Sequence, residues 1–97
     1  MRISEVNAVV DEILDNFDFT KIHAYMTLTN WTWRNDGVPT IEAMREAARE
    51  YLLKVCAAPE PETSYGSGGF VAYKSDDVVH LSFELEWYEV AREMEVL

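Results

Sequence analysis

Few side chains in this chain are equipped for acid–base, nucleophilic or metal chemistry: His23, His80, the single Cys56, and 18 acidic residues. His80, Glu84 and Glu86 stand at alternate positions of one stretch. Residues two apart on a strand are separated by about 6.6–6.8 Å, too far for Glu84 and Glu86 to grip one metal side by side. His80 adds at most a third, distant ligand. Cys56 with His23 or His80 makes a nucleophile and base only if the fold joins them, and a cysteine on the inner side of a helix is usually inert. The chain has no His-Glu-x-x-His, no cysteine pair, no Gly-x-Ser-x-Gly and no dinucleotide fingerprint. No catalytic residue, no metal and no cofactor is expected, and binding is the favoured kind of activity.

The elements that must position these groups follow from periodicity. From Val78 to Tyr88 the odd positions Val79, Leu81, Phe83, Leu85 and Trp87 are apolar, while His80, Ser82, Glu84 and Glu86 fill the even ones. Strand side chains alternate between faces, so this is a strand with one packed and one wet face. Gly68 to Lys74 precedes it as a second strand, apolar on both parities, and a turn through Ser75, Asp76 and Asp77 makes the two a hairpin. Tyr88 to Leu97 fits either a short helix or a loose tail.

Helices must cover the packed face. Ile3, Val6, Val9, Val10, Ile13, Leu14 and Phe17 recur at helical steps behind Ser4, an N-cap residue type. Glu5, Asp11, Glu12 and Asp15 fall on the outer side and read as a solvated face. Asp18 caps a second helix running from Phe19 to about Thr27, with Phe17 and Ile22 as its hydrophobic staple and His23 beside the apolar stripe. Thr40 caps the third and longest helix, whose stripe is Ile41, Met44, Ala48, Tyr51, Leu52 and Val55. On its other side Glu42/Arg45, Glu46/Arg49 and Glu50/Lys54 are spaced for pairs within the helix, and Leu53 projects among them.

Two stretches are read as irregular or short. Thr27 to Arg34 is rich in threonine and tryptophan, and Thr29, Trp31 and Trp33 share one strand parity before the turn at Asn35, Asp36 and Gly37. Trp31 and Trp33, with Arg34 beside them, form either a stacking platform for bases or sugars or, in the favoured reading, packing under the third helix. Residues 57–69, with two prolines and three glycines, read as a flexible loop with Tyr65 as an anchor. It lacks the Gly-Lys-Ser/Thr ending of a phosphate loop. The expected fold is α+β: two or three amphipathic helices packed on one face of a small antiparallel sheet that contains a C-terminal β-hairpin, in a single domain over residues 1–97.

Charge narrows the partners. With 18 acidic against 8 basic side chains the formal charge is −10, a field that repels phosphate backbones and anionic lipid and attracts basic protein surfaces. Direct nucleic-acid binding is not expected. Neither is a membrane span, since no stretch approaches about 20 apolar residues. A lone cysteine and a start with no signal-like apolar run fit a cytoplasmic protein.

The spaced set Phe17, Asp18, Phe19, Thr20 and Lys21, then Met26, Trp31 and Trp33, then Val38, Pro39 and Thr40 with Met44 and Ala48, then Gly68, Gly69 and Phe70, and finally Phe83 to Trp87, resembles a family of small acidic phage- and prophage-encoded proteins. No activity or site residue is assigned to that family. The resemblance implies context alone: a small accessory protein made inside a bacterial cell. The expected role is therefore a non-catalytic module that binds a basic protein surface, with His80, Glu84 and Glu86, extended by Glu89, as its contact row. One alternative is a small-molecule or nucleotide-binding module using Trp31, Trp33 and the Tyr65 loop over residues 57–69. Another is a homodimer or larger assembly in which a hairpin edge pairs with a second copy.

Overall fold

The computed structural model describes residues 3–29, 37–76, 78–85 and 88–95, with the side chains of residues 3, 4, 85 and 88–95 outside that description. Three helices, α1 (Ile3–Asn16), α2 (Phe19–Thr29) and α3 (Ile41–Ala57), precede four strands, β1 (Glu62–Ser67), β2 (Phe70–Ser75), β3 (Val78–Leu85) and β4 (Tyr88–Glu95). The strands form an antiparallel meander in the order β1-β2-β3-β4. This is the expected α+β architecture, ending in a β-hairpin.

The helix boundaries follow from local hydrogen bonding. Thr40 has extended backbone and its hydroxyl accepts from the Ala43 N–H at 3.1 Å, so α3 begins with a satisfied donor. Asp18 does the same for α2, its Oδ1 accepting from the Lys21 N–H. Ser4 is not a cap, because α1 already starts at Ile3. α2 also runs two residues beyond the expected end. Thr27 and Thr29 lie in the helix with their hydroxyls donating back to the carbonyls of His23 and Tyr25 at 2.8 and 2.9 Å, the way helical threonines satisfy that group. Thr29 is thus helical and not part of a strand, while Trp31, Trp33 and Arg34 lie outside the described residues.

One core joins helices to sheet. Val10, Ile13 and Leu14 of α1, Phe19, Ile22 and Met26 of α2, and Met44, Ala48, Leu52 and Val55 of α3 bury against Phe70, Ala72, Val79, Leu81 and Phe83. Aromatic rings bridge the layers: Phe70, 4.9 Å from Phe83 within the sheet, lies 6.3 Å from Phe17 and 6.1 Å from Phe19 on the helical side. Leu53, expected to project among charges, is instead half-buried against this core, whereas Ile41 at the head of the stripe is exposed. The charges between α1 and α3 also pair differently from the expectation. Arg45 reaches across to Asp15 at 2.6 Å, and Arg49 to Asp11 at 2.7 Å, so both arginines link two helices. The second contact is an ion pair without hydrogen-bond geometry.

Two strands correct the sequence reading. Residues 62–67, expected within a flexible loop, pair one-to-one with β2 from Glu62↔Ser75 to Ser67↔Phe70. Gly68 and Gly69 have φ of 63° and 92°, the two positive values that a two-residue hairpin turn matched to strand twist requires. Tyr88–Glu95, left open between helix and tail, pairs with β3 along its length.

Candidate functional site

All three helices lie on one side of the sheet, which leaves the other side bare among the described residues. Register determines what stands there. The pairs Tyr73↔His80 and Val71↔Ser82 alternate with the buried pairs Phe70↔Phe83 and Ala72↔Leu81. Directly opposed residues share a face, so Ser64, Gly66, Val71, Tyr73, His80, Ser82 and Glu84 all belong to the bare side.

The expected contact row is placed as anticipated where it is described. His80 and Ser82 are half-buried and Glu84 is exposed. Glu86 lies outside the described residues, as does Trp87. The register of β4 sets Glu89, the expected extension of the row, opposite Glu84, and adds Glu93, which the sequence reading did not use, opposite His80.

The structure adds Tyr73, which sequence reasoning treated only as an apolar strand residue. Its ring packs 4.8 Å from His80, and its hydroxyl donates to Glu62 Oε1 at 3.3 Å, which also accepts from Ser75 Oγ at 3.2 Å. The period-two pattern of β2 together with the hairpin turn held the signal, because it puts Tyr73 opposite His80. Next to this cluster, Ser64, Gly66, Val71, Ser82 and Glu84 border a shallow concavity. Val71, 41% exposed, is its apolar contact point among serines and Glu84.

Tyr65 is not a loop anchor. It sits on β1 toward α3, its ring 5.3 Å from Tyr51 and with Lys54 Nζ 4.1 Å from its centroid. A cation over an aromatic face is favourable by about 0.5–1 kcal/mol when exposed, so this contact ties β1 to α3.

Cys56 and His80 are kept apart. Cys56 packs against the core on the helical side, whereas His80 stands on the bare side, with the sheet between them. Burial pushes the Cys56 thiol above its ordinary range, and the nearby Lys74 ammonium only partly offsets this. A protonated thiol is a poor nucleophile. Lys74 itself donates to the Ala58 carbonyl at 2.7 Å, closing the end of α3. Among the described residues no three His, Cys, Asp or Glu side chains are placed to hold one metal ion, and no helix is long and apolar enough to cross a membrane.

Comparison with known proteins gives no relative: no family model, no curated protein and no solved structure matches this chain.

Proposed function

We propose that this chain is a non-catalytic accessory protein, of the phage or prophage kind that its spaced residues resemble, and that it binds a basic surface of another protein through the bare side of its sheet. The observation that carries this reading is the one-sided covering of the sheet. A half-buried aromatic pair, an exposed valine and the Glu84 carboxylate stand on a sheet surface that no described residue covers. Binding surfaces combine apolar contact area with polar groups in this way. The formal charge of −10 supplies long-range attraction toward a basic partner and speeds the encounter. The small-molecule reading loses the mobile loop it relied on, because residues 62–67 form β1.

The test is affinity capture from a bacterial lysate at low salt with the wild-type protein and with the Glu84→Lys, Glu86→Lys double variant. A basic protein retained by the wild type, released by salt and lost with the double variant is the expected result. Retention by both proteins that is indifferent to salt would overturn the proposal.

A further inference from the structure

The outer edge of β1 is a separate feature of the same sheet. β1 is terminal in the strand order, and its register with β2 has no bulge. A two-residue turn closes on a pair that exchanges both main-chain hydrogen bonds, here Ser67 and Phe70. Alternation makes Tyr65 and Thr63 the next bonded positions. The Asp76 N–H, which donates to the Pro61 carbonyl at 2.8 Å, continues that parity at the far end. The N–H and C=O groups of Glu62, Ser64 and Gly66 therefore point away from β2. No strand among the described residues meets them.

This edge is poorly guarded. Strand edges are commonly protected by charge, proline or bulges. β4 at the opposite edge has Glu89, Arg92, Glu93 and Glu95 among its eight residues, while β1 has only Glu62 among six and no proline. Gly66 makes the edge approachable as well. A Cβ there would come 2.1 Å from the Phe70 carbonyl oxygen and 2.8 Å from Val71 Cα, so the position accepts no side chain without a shift. Bare backbone at position 66 opens onto the concavity over Val71, with the Glu84 carboxylate at its rim. Glu84 is exposed and has no ion-pair partner among the described residues. Lys54, over Tyr65, and Lys74, at the Ala58 carbonyl, are engaged on the helical side of the sheet.

We propose that β1 is a docking strand that takes an extended basic segment of a partner protein as a fifth strand. The segment bonds the outward main chain of Glu62, Ser64 and Gly66, and lays a Lys or Arg stem across Gly66 with its charge toward the concavity that Glu84 borders. This rests on the reading of the chain as an acidic protein-binding module, and it names the mode and the segment that module recognises. Charge selects the occupant: a second copy would bring another formal −10 to an edge already flanked by Glu60 and Glu62.

The experiment selects binders to the intact protein from a displayed library of random peptides, then measures their affinity for the wild type, Ser64→Pro and Glu84→Lys. Proline at position 64 removes an outward N–H and leaves the bonds to β2 in place, as edge strands tolerate. The expected binders are rich in Lys or Arg interleaved with β-branched residues. Each variant should weaken them about tenfold, and the Ser64 and Gly66 amides of the wild type should exchange more slowly in the complex. The amide measurement decides the matter even if Ser64→Pro fails to fold. Unchanged amide exchange, with affinity lost only in Glu84→Lys, would overturn the docking strand and leave the acidic binding module standing. Affinity unchanged in both variants would overturn both. A wild-type dimer in light scattering that Ser64→Pro converts to monomer would assign the edge to a second copy and overturn the basic segment.

Discussion

The two sides of the sheet are built from the same strands, yet they answer to different demands. On the covered side Phe70, Ala72, Val79, Leu81 and Phe83 are fully buried, and every atom there has packed neighbours to lose. On the bare side Val71, Tyr73, His80, Ser82 and Glu84 keep contact with solvent, so their chemistry is available to something outside the molecule. The strand period of two assigns neighbours in sequence to opposite sides: Phe83 is buried in the core, and Glu84, one residue on, is exposed.

The contrast breaks first at Phe83. Its ring lies 4.9 Å from Phe70 and 6.5 Å from Tyr25, and Phe83→Ala should cost about 3–5 kcal/mol in urea unfolding through lost burial and the cavity left behind. Glu84→Lys, by contrast, should fall within about 0.5 kcal/mol of wild type. A comparable loss at the two positions would mean that the sides do not differ as described.

A smaller effect sharpens the comparison at the edge. Gly66 belongs to the bare side, but the close approach of the Phe70 carbonyl leaves no room for a methyl group there. Gly66→Ala should therefore destabilise by about 1–3 kcal/mol, the range for forced overpacking. Denaturant midpoints of Gly66→Ala and Ser64→Ala, compared side by side, check this, with the serine variant expected near wild type.

The smallest effect lies away from the sheet. Arg45 and Asp15 are both partly exposed, with side-chain accessibilities of 33% and 66%. A double-mutant cycle on them should give a coupling of about 0.2–1 kcal/mol that shrinks as salt is added.

Where the sequence was legible, a single local rule was enough. The alternation over Val79, Leu81 and Phe83 assigned β3 its inner face, and Thr40 announced the start of α3, because both signals depend only on residues within the element. β1 was illegible for a physical reason. Glu-Thr-Ser-Tyr-Gly-Ser has the composition of a loop, and it is a strand because β2 supplies partners for its main chain. The consecutive glycines at 68 and 69 were the available clue, since two positive φ values in a row mark a hairpin turn. β4 hid behind Ala91, Arg92, Glu93 and Met94, residue types that favour helices until a neighbouring strand overrides them. The inter-helix pairs were missed because Arg45 and Arg49 had acidic neighbours at helical spacing, and only the packing of α1 on α3 brings Asp15 and Asp11 within reach. Of the site, His80 and Glu84 were legible from parity, while Tyr73 gained its role only once β2 and β3 were in register.

The most direct test of the difference between the two sides is amide hydrogen exchange across the whole protein, free and bound to a Lys- or Arg-rich peptide selected from the displayed library. Slowed exchange at Ser64 and Gly66, with α1, α2 and α3 unchanged, is the predicted result. Protection confined to the outer surfaces of the helices, with Ser64 and Gly66 exchanging as in the free protein, would contradict it.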